Sequence, residues 1–176
     1  MAAVENLWAP WRLEYVRGEQ PSGCVLCAKS GEADDSAALV LARGAHVYVV
    51  LNLYPYNPGH LMVVPYRHVA GLEDLTTLES IEAQAMLATA IRTIRGCMQP
   101  GGFNVGLNLG SAAGAGIPDH LHWQLVPRWA GDVNFMPLLA DVRVMPQHMQ
   151  TTWKQLHDAW GSFDTDEEAG PTDDGV

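Results

Sequence analysis

The sequence lacks the features that would place it in a membrane, outside the cell or on nucleic acid. No apolar run in its 176 residues is long enough to span a bilayer, and no apolar segment near the N-terminus has the form of a secretion signal. Three cysteines are too few for a disulfide framework. The 10 Lys and Arg form no basic patch for DNA or RNA. We therefore expect a cytoplasmic protein with neither a membrane nor a nucleic-acid partner.

Negative charge and aromatic side chains are concentrated at the two ends of the chain. Residues 163–176 are rich in Asp and Glu and contain no Lys or Arg, which predicts a disordered acidic tail. The remaining residues 1–162 are long enough for a single domain with an ordinary core. Residues 1–20 contain Trp8, Trp11 and Tyr15, so we expect this aromatic arm to pack on the domain or on a second subunit.

Hydrophobic patterning predicts five strands and two helices. We expect the strands at residues 38–42, 46–53, 60–65, 103–109 and 120–127. Thr76-x-x-Glu79 is a capping box that begins a central helix, and residues 146–160 predict a C-terminal helix. The apolar face of the central helix is predicted to contain Ile81, Ala85, Ala88, Ile91, Ile94 and Met98. Hairpin, helix, hairpin and helix indicate an α+β domain on an antiparallel sheet.

The segment from His120 to Gln124 carries the strongest indication of chemistry. With the period of a strand, His120, His122 and Gln124 share one face. The solvated side of an antiparallel sheet could produce the same alternation. However, a glycine-rich loop over residues 108–119 precedes the segment, and bare backbone can direct N–H groups at an anion. The combination of loop and histidines indicates phosphate chemistry.

The pair Cys24-x-x-Cys27 fits half a zinc site, a redox pair or two incidental cysteines. A redox pair would normally open a helix in a βαβ setting, and no such pattern follows. Zinc requires two further nitrogen or sulfur ligands, and the candidates are His68, at the end of a predicted strand, and His120, which starts the polar face. Such a site would be closed and would stabilise the fold.

Three motifs occur together in an order and spacing similar to those of the histidine triad superfamily. They are Gly59-His60-x-x-x-x-Pro65, the glycine-rich loop and His120-x-His122-x-Gln124. The resemblance covers residues 40–130 well and the cysteine pair more loosely. It implies an antiparallel sheet with a central helix and a C-terminal helix, and the cysteine pair implies a zinc-binding N-terminal arm.

Typical members of that family have a third histidine where Gln124 stands. The glutamine variant resembles the transferase branch, which includes galactose-1-phosphate uridylyltransferase and the diadenosine tetraphosphate phosphorylases. Residues 51–67 and 127–135 are similar to the compact bacterial phosphorylases of the latter group. The resemblance thus implies an enzyme that cleaves dinucleoside polyphosphates. A hydrolase that releases a nucleoside monophosphate from dinucleotides or phosphoramidates is an alternative, and so is a non-catalytic nucleotide-binding module.

The resemblance also implies a role for individual residues. His122 would attack the α-phosphorus and form a covalent nucleotidyl-histidine. Gln124 would bind a phosphate oxygen, and because an amide is neither a general acid nor a base, a phosphate or sugar-phosphate acceptor is favoured over water. His60 is interpreted as a structural hydrogen-bonding residue. The implied contacts to ribose and phosphate are Asn52, Asn108, Ser111, Gly114 and Gly116.

The remaining implications concern cofactors, charges and assembly. The zinc-bearing members imply Zn²⁺ at Cys24, Cys27, His68 and His120, which agrees with the ligand set above. Mg²⁺ bound with the polyphosphate substrate is left open. Arg128, Arg143 and Lys154 are cations to test against distal phosphates, although each is first interpreted as an ordinary surface charge. The family also implies a homodimer, with the central helix and strand edges at the interface.

Overall fold

The computed structural model describes residues 23–132, 147–160 and 162. The expectations for the aromatic arm, the acidic tail and Arg143 lie outside the described residues. The strands are β1 (Val40–Arg43), β2 (Val47–Leu51), β3 (Leu61–Pro65), β4 (Gly102–Leu107) and β5 (Trp123–Arg128). The helices are α1 (Val25–Gly31), α2 (Asp35–Ala38), α3 (Thr77–Met98) and α4 (Met149–Ala159), and 3₁₀ turns lie at Leu72–Asp74 and Ser111–Ala113.

The five strands form one antiparallel sheet in the order β1-β2-β3-β5-β4. The predicted α+β fold, with its central and C-terminal helices, is therefore confirmed. The prediction placed β5 too early, because the strand begins at Trp123 and both His120 and His122 precede it. The two histidines are buried, as is Leu121 between them, so the extended segment is covered on both sides. A solvated strand face does not explain this alternation.

The central helix α3 packs on β2 and β3. Its capping box is present: Thr76 Oγ1 accepts from the Glu79 N–H (3.2 Å), and Glu79 Oε2 accepts from the Thr76 N–H (2.7 Å). The predicted apolar face is correct only in its C-terminal half, where Ile94 is buried and Ile91 and Met98 pack against the core. In the N-terminal half the prediction is wrong, because Ile81 (62% exposed), Ala85 and Ala88 are exposed. The helix there buries Ala83, Leu87 and Ala90 instead.

Two further helices contact the sheet: α4 covers its β1 edge, and α1 hydrogen-bonds to β2. Trp153 of α4 donates from Nε1 to the Val40 carbonyl of β1 (2.8 Å), and α4 also packs on α3. The carbonyl of Leu26 in α1 accepts a hydrogen bond from the Tyr48 hydroxyl of β2 (2.7 Å). None of the helices described is both long enough and apolar enough to cross a membrane.

The connection from β2 to β3 is a closed hairpin that fixes His60. The Asn52 N–H donates to the His60 carbonyl (2.9 Å), and the His60 N–H donates to the Asn57 carbonyl (3.1 Å). Gly59 has a φ of +77°, a left-handed conformation that favours glycine. The tight turn therefore delivers the His60 side chain to the start of β3, beside β5.

Candidate functional site

Four predicted ligands converge from three separate segments. Cys24 and Cys27 lie at the start of α1, His68 follows β3 and His120 precedes β5. Each offers one ligand atom, and these atoms all lie within 4.8 Å of one another. A tetrahedral ion with bonds of about 2.0–2.3 Å separates its ligands by roughly 3.3–3.8 Å. The two thiols and two imidazoles are therefore placed where they could hold a metal ion.

Hydrogen bonding orients the His120 ring toward this cluster. Nε2–H donates to the Pro65 carbonyl (2.9 Å), so Nδ1 carries the lone pair. Nδ1 lies 3.2 Å from the Cys24 Sγ and 3.4 Å from the Cys27 Sγ. Burial lowers the pKa of His120, and the neighbouring His68 lowers it further. The ring is thereby kept neutral, as a metal ligand must be.

His122 uses the opposite ring nitrogen for its backbone hydrogen bond. Nδ1–H donates to the His120 carbonyl (2.9 Å), which leaves the lone pair on Nε2. The residue is 6% exposed, and burial lowers its pKa, while the bond to the carbonyl opposes that shift. A neutral imidazole with an oriented Nε2 lone pair is able to act as a nucleophile.

Gln124 contacts a residue that the sequence interpretation did not connect with it. The Oε1 atom of Gln124 lies 2.5 Å from Nε2 of His60, a fully buried side chain. On the other side of that ring, Nδ1 accepts from the Tyr56 N–H (3.1 Å), and the Tyr56 ring stacks on it at 5.2 Å between centroids. The hydrogen-bonding role expected for His60 thus includes a side chain of the site. The Gly59-His60 turn was the only hint of it in the sequence.

Asn52 lies at the same end of the sheet, immediately after β2. Its Oδ1 accepts from the Tyr54 N–H (2.9 Å), so the side chain has Nδ2 left as a donor. Nδ2 lies 3.5 Å from Nε2 of His60. This contact is not a hydrogen bond, because Nδ1 is the acceptor nitrogen of His60 and both Nε2 and the Asn52 amide nitrogen therefore carry hydrogen. A cavity of about 460 Å³ lies between the β2–β3 hairpin and α4, lined by Leu51, Leu53, Pro55, Pro58, Met149 and Thr152 among others.

The glycine-rich loop connects the paired strands β4 and β5. Because Leu107 pairs with Trp123, the loop starts and ends next to His122. Gly110 and Gly114 have φ values of +78° and +81°, which explains the need for glycine at both positions. Asn108 donates from Nδ2 to the Gly114 carbonyl (3.4 Å), and the other predicted phosphate contacts, Ser111, Gly114 and Gly116, are exposed.

Two of the cations named for distal phosphates, Arg128 and Lys154, lie within the described residues and pair with carboxylates. Arg128 donates from Nε and Nη2 to the two carboxylate oxygens of Asp132 (2.5 and 2.8 Å) and from Nη1 to Asn104 (2.9 Å). Lys154 pairs with Asp158 (2.7 Å). Both therefore fit the interpretation as surface charges, and Asp132 further anchors the β2–β3 turn through Asn57 (2.8 Å).

Comparisons with known proteins identify relatives of this chain. A family model described as HIT domain matches residues 34–131. A Mycobacterium tuberculosis protein named AP-4-A phosphorylase is 47% identical over 165 residues, which is 89% of this chain and 85% of the relative. A Saccharomyces cerevisiae protein named bis(5'-adenosyl)-triphosphatase is 35% identical over 91 residues, covering 51% of this chain and 44% of the relative.

Solved structures show the same fold. A zinc-bound histidine triad family protein from Mycobacterium smegmatis superposes with a TM-score of 0.65 at 24% identity, over 81% of this chain and 96% of that one. A histidine triad nucleotide-binding protein from Sulfolobus tokodaii superposes with a TM-score of 0.62 at 19% identity, over 79% and 93%. At these identities the likeness speaks for the fold alone.

Proposed function

The chain belongs to the histidine triad family, and we propose that it is a phosphorylase that cleaves dinucleoside polyphosphates of the diadenosine tetraphosphate type. The observation that carries the proposal is the pair of side chains at His122 and Gln124. His122 offers an oriented Nε2 lone pair. Gln124 offers an amide at a position where a general acid or base would favour water as the acceptor. The 47% identity to a relative named for this activity supports the same choice.

In the first half-reaction, Nε2 of His122 attacks the α-phosphorus of the substrate. The P–N bond forms as the P–O bond to the remaining nucleoside polyphosphate breaks, and the leaving group departs as an anion. A nucleoside triphosphate is a good leaving group and needs no protonation by Gln124. The Nδ1–H bond to the His120 carbonyl stabilises the positive charge that develops on the ring.

In the second half-reaction, an oxygen of inorganic phosphate attacks the nucleotidyl phosphorus and Nε2 leaves. With diadenosine tetraphosphate the products are ATP and ADP, and His122 is regenerated. Phosphate is already an anionic nucleophile at neutral pH and requires no base, whereas water does. A sugar phosphate could serve as acceptor in the same way.

Substrate contacts are proposed for the residues around His122. Nδ2 of Asn52 would donate to a ribose hydroxyl, since its Oδ1 is used by the Tyr54 N–H. Asn108, Ser111 and the backbone N–H groups near Gly114 and Gly116 would surround the α-phosphate, where negative charge increases in the transition state. The mainly apolar cavity beside the β2–β3 hairpin is a candidate place for one of the bases.

We propose Zn²⁺ as the metal of the Cys24, Cys27, His68 and His120 cluster. Two thiolates and two neutral imidazoles are a common structural set for zinc, and four protein ligands leave no open position for substrate. The metal would join α1 to the segments that flank β3 and β5. No described residue is assigned to Mg²⁺, and its binding with the substrate stays a prediction.

A homodimer is proposed from the β4 edge of the sheet. The opposite edge strand, β1, is covered by α4, whereas no described strand pairs with the outer side of β4. The side chains of Val105 and Ile81 are 47% and 62% exposed, on β4 and α3 respectively. Light scattering should give the mass of two chains, and Val105→Lys should lower it, because an edge lysine opposes strand pairing.

The organisation of the chain and its compartment are also proposals. We propose one domain over residues 1–162, with an N-terminal zinc-binding arm and an acidic tail over residues 163–176. The three cysteines are free thiols, which suits a reducing compartment such as the cytoplasm.

Turnover of diadenosine tetraphosphate with and without inorganic phosphate tests the proposed function. ATP, ADP and AMP should be resolved by chromatography. We expect ATP and ADP in equal amounts, formed only when phosphate is present. AMP release without phosphate would identify a hydrolase instead. Nucleotide binding without turnover or a covalent adduct would identify a binding module.

A further inference from the structure

A short hydrogen-bond relay links the β2–β3 turn to Gln124. We propose that His60 is a positioning residue that locks the Gln124 amide with its NH₂ group toward the reacting phosphate and its oxygen turned away. This inference rests on the proposed function, because it specifies how the site would exclude water. The relay runs from the Tyr56 backbone N–H through the His60 ring to the Oε1 of Gln124.

The position of the proton on His60 follows from its first partner. The Tyr56 backbone N–H can only donate, so Nδ1 of His60 must be the acceptor (3.1 Å). A neutral imidazole with a bare Nδ1 carries its proton on Nε2. Nε2–H therefore donates, and the atom of Gln124 that faces it at 2.5 Å must be the carbonyl oxygen Oε1. The amide is left with only N–H groups to offer the site.

Burial makes this arrangement rigid. The His60 side chain is completely buried, its ring stacks on Tyr56, and its own backbone N–H and carbonyl close the hairpin. Moving the proton to Nδ1 would place two donors against each other at Tyr56, and flipping the ring would turn a C–H toward the Tyr56 N–H; either loss is costly in a buried position. Met62, two residues along β3, pairs directly with Gln124, so the two ends of the relay are held in register by the sheet.

The locked orientation has a chemical consequence. A glutamine that could turn would present Oε1 as well as NH₂, and a carbonyl oxygen could accept a hydrogen bond from an attacking water. With Oε1 directed at the fully buried His60 ring, the amide turns its NH₂ group rather than its oxygen toward phosphate, and its oxygen is directed away from an attacking water. Discrimination against hydrolysis would thus depend on His60 in addition to the glutamine itself.

Two isosteric variants separate this role from a structural one. In His60→Gln, the side-chain amide reaches the place of Nε2 and can still donate to Gln124. In His60→Asn, the side-chain oxygen reaches the place of Nδ1 and can still accept from Tyr56, but the donor to Gln124 is lost. Both variants lose the ring stacked on Tyr56, so they are matched in packing.

We expect His60→Asn to lower the kcat of phosphorolysis about tenfold relative to His60→Gln, with KM for the dinucleotide within about twofold. The fraction of turnover that ends as AMP should rise in His60→Asn. A purely structural His60 predicts the reverse order, because only His60→Asn keeps the hairpin contact. Equal kcat values and equal AMP fractions in the two variants would overturn the proposal. In a Gln124→Ala background, exchanging Asn for Gln at position 60 should change nothing, and a retained difference would also contradict it.

Nuclear magnetic resonance tests the relay without any turnover. Nitrogen-15 spectra of the wild-type chain should show His60 protonated on Nε2 and bare on Nδ1. The Gln124 side-chain amide should shift in His60→Asn more than in His60→Gln. A proton on Nδ1 of His60 would overturn the positioning role. A chain that shows the expected tautomer but no phosphate-dependent turnover would instead refute the proposed function and leave the relay standing.

Discussion

The two ends of β3 use the same kind of side chain for different purposes. At one end, His68 joins His120 and two thiols in a cluster whose ligand atoms point at one another. At the other end, His60 faces Gln124, on the strand that follows His122. The two histidines before β5 differ in which ring nitrogen hydrogen-bonds to the backbone. His120 gives Nε2–H to a carbonyl and presents Nδ1, whereas His122 gives Nδ1–H and presents Nε2.

His120 belongs to both regions at once. Its ring faces the thiols, and its backbone carbonyl accepts a hydrogen bond from Nδ1–H of His122, which leaves the lone pair of the proposed nucleophile on Nε2. A change in the metal cluster can therefore reach the nucleophile through one residue. The comparison teaches that backbone carbonyls select a different ring nitrogen on each histidine, so that the proposed metal ligand presents Nδ1 and the proposed nucleophile presents Nε2.

The largest expected effect comes from removing the nucleophile. His122→Ala should lower turnover at least about 10³-fold, because no covalent intermediate can form. Melting temperature and affinity for AMP should stay near the wild-type values. His157→Ala, at an exposed histidine on α4, is the matched control and should keep its activity. Substantial turnover in His122→Ala would remove the nucleophile assignment and with it the contrast between the two histidines.

The proposed zinc site is tested by substituting one of its cysteines. Cys24→Ser should lose bound zinc, measured by elemental analysis of protein purified without chelator. It should also melt about 10 °C lower, since three segments lose their link. Cys97→Ser is the control, because that thiol donates to the Thr93 carbonyl within α3 and lies outside the cluster. Activity should fall only to the extent that the His120 carbonyl, which holds Nδ1–H of His122, is displaced. A wild-type chain without zinc would contradict the assignment.

A smaller effect is expected at Gln124, where a substitution should change how often water rather than phosphate is the acceptor. In Gln124→His, Nε2–H of His60 can still donate to a ring nitrogen, and the other nitrogen can assist water. We expect the ratio of AMP release to phosphorolysis to rise about tenfold. Gln124→Glu keeps an acceptor for His60 but offers no donor to phosphate, and both activities should fall. An unchanged product ratio in Gln124→His would show that Gln124 does not select the acceptor.

Sequence alone predicts the parts of this molecule that are set by local rules. The capping box, the glycine turns and the order of strands and helices follow from residue type and spacing. The α3 face does not, because the helix carries two apolar stripes, and only the tertiary packing decides that Leu87 is buried and Ile81 exposed. The choice of ring nitrogen is equally hidden, since it depends on carbonyls such as that of Pro65, 55 residues from His120.

The smallest predicted effect concerns stability in acid at the end of β3 that leads to His68. Arg67, adjacent to His68, donates to Glu79 from Nε and Nη2 (2.7 and 2.6 Å). These bonds, followed by those of Thr76, lower the pKa of Glu79 from 4.5 to about 2. Because the pKa is lower in the folded protein, the stabilisation is complete above pH 4.5 and is lost as pH falls toward 2.

Glu79→Gln isolates this contribution, because it removes the charge and keeps a carbonyl oxygen that can accept from Thr76. The variant should melt lower than wild type at pH 7, by a few degrees, and the two should converge as pH falls toward 2. Any loss of bound metal in acid affects both chains equally and cancels in the difference. A constant difference in melting temperature across this range would mean that ionisation of Glu79 does not account for the stabilisation, and that the ion pair with Arg67 contributes nothing measurable.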